Sequence, residues 1–82
     1  MTKQEIFEVV VSNVREVLPE LEDHSFQPTD QLVNLGANSV DRAEIVMMII
    51  EELNLRVPLV ELSTAKNIGE LVEVLYGKLQ TA

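Results

Sequence analysis

The sequence contains no cysteine and no tryptophan, one histidine, one tyrosine and two phenylalanines. Without cysteine there is no disulfide framework, no thiolate zinc site and no cysteine nucleophile, a composition that suits a reducing compartment. The lone His24 lies among loop-forming residues. It leaves histidine metal sites and catalytic triads with almost nothing to work with. Scarce aromatics mean that the core must be aliphatic, drawn from a 46% hydrophobic fraction. Cations are scarce too: six Lys and Arg stand against fourteen Asp and Glu, a formal net charge of −8. Phosphate neutralisation needs clustered basic residues, so nucleic acid and anionic membranes are excluded as partners of a basic face. The acidity points instead to partners with basic patches, attracted in a salt-sensitive way. The longest apolar run, Ile45 to Ile50, is far too short to span a bilayer. Met1-Thr2-Lys3-Gln4-Glu5 leads into an amphipathic segment rather than a signal-type stretch. The expectation is one soluble, cytoplasmic, monomeric domain over residues 1–82.

Thr2-Lys3-Gln4-Glu5 has the spacing of a capping box, a hydroxyl followed three residues later by a carboxylate. Ile6, Val9, Val10, Val14, Val17 and Leu18 then recur at three- and four-residue steps. They predict a first helix over about residues 3–18, stopped by Pro19. Its β-branched valines lower helix propensity, so packing must hold it. From Pro19 to Asn38 turn residues dominate, with Leu21, Phe26, Leu32 and Leu35 spaced to pin a long loop across the core. Thr29-Asp30 is placed to cap one short helical turn carrying Leu32 and Val33. A second helix is expected from Ser39 to Leu53, a short turn over Leu59 to Leu62, and a last helix from the Asn67 cap to about Leu79. No segment alternates as a strand does. The fold class is therefore all-α: a small four-helix bundle of three longer helices, one short helix and a long first loop.

At about 100° per residue, the second helix sorts into three faces. Ile45, Val46, Ile49 and Leu53 form the core stripe; Asp41, Glu44, Glu51 and Glu52 gather opposite, with Met48 among them. Val40, Ala43, Met47 and Ile50 widen the apolar arc beyond what one buried face needs. That shoulder reads as a surface for a partner protein, methionine suiting an adaptable contact; the plainer reading is a helix wedged between two others.

Asp30 to Asp41 is not a calcium loop, because the positions that need oxygen ligands, Gly and Glu hold Leu32, Leu35 and Asp41. Fourteen carboxylates with one loop histidine and no phosphate-cradling loop make a poor catalyst, so no catalytic residue and no metal ligand is expected. Attention falls on Ser39, which sits between a long polar loop and an apolar helical run. A serine at a helix start is most often only a cap. Gly36 before it, Asp41 after it and the acidic helix beyond suggest more, since free N–H groups and the positive dipole end there favour a phosphate.

Leu35-Gly36-Ala37-Asn38-Ser39-Val40-Asp41-Arg42-Ala43-Glu44 resembles the attachment segment of acyl carrier proteins. Their common pattern is Leu-Gly, two residues with Asp second, Ser-Leu and Asp, then a Glu three residues on. The resemblance extends over the whole chain: length, acidity, long first loop, acidic second helix, Pro-containing second loop and final helix. It implies that Ser39 is modified by a phosphopantetheinyl transferase with 4'-phosphopantetheine from coenzyme A. An acyl group would be carried as a thioester on the arm's thiol, the cofactor supplying the sulfur that the chain lacks. The implied partners are that transferase, an acyl-loading enzyme, and a ketosynthase or HMG-synthase-like enzyme with a basic docking surface. Val40, Asp41, Glu44, Met47, Ile50 and Glu51 form the implied partner surface, and Glu52 joins the acidic positions.

Two residues depart from the family pattern. Asn38 stands where Asp is common, removing a charge beside the phosphate, and Ile50 stands where fatty-acid carriers often keep a Glu. Gly36 to Glu44, Val57-Pro58-Leu59-Val60-Glu61-Leu62 and Lys66-Asn67-Ile68-Gly69-Glu70-Leu71 look like stand-alone carriers of polyketide pathways. The resemblance runs to donor carriers that present acetyl or a similar group for β-branching. The competing reading is a small acidic helical adaptor that binds a basic partner without a prosthetic group.

Overall fold

A computed structural model describes residues 1–81 of the chain. It contains four helices: α1 (Lys3–Val17), α2 (Ser39–Glu52), α3 (Leu59–Leu62) and α4 (Ile68–Thr81), with a 3-10 turn at Pro19–Leu21. There is no strand among the described residues. Helix α1 packs against both α2 and α4, and α3 touches the same two helices.

The α1 capping box forms as the sequence predicts. The Thr2 hydroxyl accepts the Glu5 N–H at 3.1 Å and the Glu5 carboxylate accepts the Thr2 N–H at 2.8 Å. That backbone bond, and then the Thr2 side chain, holds the Glu5 carboxyl below the usual carboxylate range. Ile6, Val10 and Val14 are fully buried and Leu18 nearly so, while Val9 and Val17 lie half-buried beside them. Leu18 closes the helix by donating its N–H to the Val14 carbonyl, and Pro19 opens the 3-10 turn.

The long first loop is held at three points. Leu21, Phe26 and Leu32 pack onto the core, as expected, and the fully enclosed Ala37 joins them; Leu35 is half-buried outside that cluster. Backbone bonds then tie the loop to the start of α4: the Ile68 N–H donates to the Asp30 carbonyl and the Gly69 N–H to the Pro28 carbonyl. Gly69 is required by this closeness, since a Cβ there would meet the Pro28 carbonyl oxygen at 3.0 Å and its Cβ at 3.1 Å.

The expected Thr29-Asp30 cap does not form. Consecutive turns do run from Gln31 to Ala37, but the Asp30 carboxylate faces backward. It accepts the Gln27 N–H and the His24 Nε2–H, both at 2.9 Å. These bonds, the backbone one first, lower the Asp30 carboxyl from its ordinary value. Both bonds end on the same oxygen, Oδ2, and hold the carboxylate turned back toward Gln27 and His24 instead of forward onto the following turn.

Helix α2 buries Ile45 and Ile49 completely, with Val46, Ile50 and Leu53 half-buried against the same core. It stops at Glu52 through a Schellman arrangement, in which Leu55 donates to the Ile50 carbonyl and Asn54 to that of Glu51. Asn54 takes the left-handed conformation this requires, at φ 54°. The last helix begins as predicted at Asn67, whose side chain accepts the Glu70 N–H at 2.8 Å. Glu70, however, reaches back to the Lys66 N–H rather than to Asn67. Ile68, Leu71, Val72 and Leu75 are its buried face.

Candidate functional site

The approach to Ser39 is built from local backbone constraints. Gly36 adopts φ 101°, a left-handed value that a side chain would strain, although no atom crowds a Cβ there. Ala37 follows, 2% exposed, and the Arg42 Nη1 donates to its carbonyl at 2.8 Å. The chain then enters α2 through Asn38, whose Oδ1 accepts the Asp41 N–H at 2.8 Å. In return the Asp41 carboxylate accepts the Asn38 N–H at 3.3 Å.

This reciprocal pair makes Asn38 the N-cap and Asp41 the third helical residue. Ser39 is therefore not the cap. It is the first residue inside the helix, exposed, with its hydroxyl free of hydrogen bonds among the described residues. No hydrogen-bonded base accompanies it among the described residues, an arrangement that does not suit a self-activated nucleophile. Asn38 itself satisfies the Asp41 N–H, which leaves the N–H groups of Ser39 and Val40 unpartnered at the positive end of the helix. An esterified phosphate at this hydroxyl fits that surrounding.

Ser39 also lies on the rim of a cleft of about 660 Å³ bounded by the first loop, α2, α3 and the start of α4. Leu32, Val46, Leu62, Ile68 and Leu71 give it an apolar floor, and Arg42 and Lys66 line its mouth. Sequence periodicity did not reveal this cleft, because its walls come from four separated segments. One clue was available: a single-turn α3 that buries Leu62 turns Val60 away from the core, and Val60 is 69% exposed.

The residues assigned to a partner surface have different fates. Val40 and Met47 are 71% and 56% exposed, and Ala43, Glu44 and Glu51 are exposed beside them. Asp41 is half-buried and occupied by the cap, and Ile50 is half-buried against the core. Glu52 is exposed, and it also reaches α1, where its Oε1 accepts a bond of 3.1 Å from Asn13 Nδ2. Asn13 is 6% exposed and also bonds the Val9 carbonyl, so the exposed Glu52 also completes the bonding of a buried amide. Among the described residues no cluster of His, Asp or Glu is arranged to hold a metal ion. No helix there is long and apolar enough to cross a membrane.

Comparison with known proteins decides the class. Residues 8–75 match the family described as "Phosphopantetheine attachment site". The chain belongs to the phosphopantetheine-attachment family. Its members are carriers rather than catalysts, and the chain carries 4'-phosphopantetheine covalently, a group that supplies the thiol for holding acyl groups as thioesters. A relative in Bacillus subtilis (strain 168), "Polyketide biosynthesis acyl-carrier-protein AcpK", is 63% identical over the full length of both chains. An "Acyl carrier protein" of Cyanidium caldarium is 33% identical over 96% of this chain and 92% of its own. Among solved structures, "Crystal Structure of the Curacin Biosynthetic Pathway HMG Synthase in Complex with Acetyl Donor-ACP" contains a chain that matches with a TM-score of 0.92. That match is 47% identical and covers 95% of this chain and all of the other. An adaptor lacking a prosthetic group does not account for this membership.

Proposed function

We propose that residues 1–82 act as one carrier domain with Ser39 as the attachment point of the 4'-phosphopantetheine arm. The observation that carries this reading is the free, exposed Ser39 hydroxyl at the first turn of α2, with the capping role taken by Asn38. The arm gives a flexible tether, and each docked enzyme meets its substrate at high effective concentration. Val40, Met47, Glu44 and Glu51 offer an apolar face edged by carboxylates, which suits an enzyme whose docking surface has an apolar centre and a basic rim. Asp41 supports that edge while capping α2, and Ile50 adds the part of its side chain that the core leaves uncovered.

The names of two of the matching proteins support a polyketide pathway, with an acetyl or similar group donated to an HMG-synthase-like enzyme. A cytoplasmic location belongs to the same proposal and suits the cysteine-free composition. A phosphopantetheinyl transferase and an acyl-loading enzyme would precede that step. Intact-mass measurement after incubation with coenzyme A and a promiscuous transferase tests the attachment. One phosphopantetheine should be added to the native chain and none to Ser39→Ala. Addition at another residue, or none with several competent transferases, would overturn it. For the pathway, the readout is acetyl transfer from the loaded carrier to an HMG-synthase-like enzyme.

A further inference from the structure

The few cations of this acidic chain are unevenly committed. Lys3 pairs with Glu73 and Lys78 with Glu61, while Arg15 lies over the Phe26 ring and bonds the His24 carbonyl. Arg42 and Lys66 differ. Like Arg56, neither takes part in an ion pair among the described residues, but unlike Arg56 both line the cleft that Ser39 also lines.

Arg42 lies three residues along α2 from Ser39, hence on a neighbouring part of the helix surface. One of its five N–H donors goes to the Ala37 carbonyl, which fixes the guanidinium beside the entry to the serine and leaves the rest of its fork uncommitted. Lys66 comes from the connection between α3 and α4, is exposed, and lines the same cleft. Its backbone N–H bonds Glu70, but its ammonium makes no hydrogen bond among the described residues. Asn38 adds no negative charge to compete for these cations, whereas Asp41, Glu44 and Glu51 charge the opposite flank of α2.

We infer that Arg42 and Lys66 hold the phosphodiester of the arm at the cleft mouth, so that the arm leaves Ser39 toward α3 rather than along the acidic flank. This rests on Ser39 being the attachment point. A phosphodiester keeps one negative charge throughout the biological pH range. The Arg42 fork can meet two of its oxygens while Lys66 acts as a point charge, and the acids across the helix repel it. Both cations are positioning residues. An arm held on this side leaves the Val40 and Met47 face uncovered for a docking enzyme, whose basic rim then competes for the phosphate.

Phosphorus-31 NMR of the holo-protein reads this directly, because the arm contributes the one covalent phosphorus. Lys66→Gln is the decisive variant, since its ammonium makes no hydrogen bond or ion pair among the described residues; Arg42→Gln and the double variant extend it. Removal of each charge should loosen the phosphate about two- to fivefold, the size ordinary for exposed ion pairs, as a change in phosphorus shift and relaxation. Lys66→Arg should keep the native signal, Arg42→Lys should keep it only in part because a point charge replaces the fork, and about 1 M salt should mimic the charge removals. Amide spectra verify that each variant keeps the fold. A double variant with native phosphorus relaxation and an unchanged amide spectrum overturns the clamp while leaving attachment at Ser39 intact. Absence of covalent phosphorus after transferase treatment overturns both.

Discussion

Asn38 and Asp41 hold each other across the first turn of α2, each accepting the other's backbone N–H, at 2.8 and 3.3 Å. The relationship separates two tasks that a helix-start serine ordinarily combines. Asn38 stabilises the helix and Ser39 stays available. Asn38→Ala should therefore lower stability by about 1 kcal/mol, the ordinary value of a lost cap, in a urea or thermal titration. Ser39→Ala should change it by no more than about 0.5 kcal/mol. Equal losses for the two would show that Ser39 shares in capping. Asn38→Asp should keep the cap, because a carboxylate accepts the same bond and suits the positive helix end.

Met47 and Glu44 test the docking face separately from the fold. Met47 is 56% exposed, so Met47→Glu should leave the thermal midpoint nearly unchanged while weakening binding to an HMG-synthase-like enzyme by roughly tenfold. A large loss of midpoint with native affinity in the folded fraction would put Met47 in the core instead. Glu44→Lys should act mainly on association rate and flatten its salt dependence in stopped-flow measurements. The same rate at low salt would remove Glu44 from the encounter surface.

Glycine substitutions in α4 should have opposite signs. Gly77→Ala meets nothing within 4 Å and should gain up to about 1 kcal/mol from helix propensity. Gly69→Ala gains the same propensity but drives a Cβ to 3.0 Å from the Pro28 carbonyl. Overpacking of about 1–3 kcal/mol outweighs that gain, so this variant should be less stable than the native chain. A stabilised Gly69→Ala would mean that the loop yields at Pro28 at little expense.

Asp30 should contribute to acid sensitivity. Its carboxyl is lowered in the folded state by the Gln27 N–H and then by His24, so the ionised form favours folding. That contribution is complete above the unfolded carboxylate pKa, near about 4, and fades as pH falls through the lower folded value. Asp30→Asn should therefore be less stable than the native chain near about pH 5, the difference shrinking toward pH 2. A difference that stays constant over this range would assign the loss to packing.

Elements governed by nearest neighbours were legible in the sequence. The Thr2-Glu5 box, the stop at Pro19, the α4 cap at Asn67 and the buried stripes of α1 and α4 all follow from spacing alone. What escaped depended on distant chain segments. Glu52 belongs to the acidic arc by helical angle, yet it also bonds Asn13 on α1. Asp30 has the right spacing for a forward cap, but His24 and Gln27 turn it backward. Ser39 itself was visible from its motif, while the cap beside it and the two cations at the cleft needed three dimensions.

The two backbone bonds from Ile68 and Gly69 to Asp30 and Pro28 of the first loop join residues 38 and 41 positions apart. Closing so large a ring carries an entropic cost that local helix caps do not. The loop ahead of Ser39 is therefore expected to take its final shape only once α4 docks, and amide hydrogen exchange that opens the loop and the start of α4 together would show it. Weakening that closure would lead the chain to lose the segment that presents its serine before it loses its helices. A partly melted molecule would look helical in circular dichroism and already be a poor substrate for the transferase.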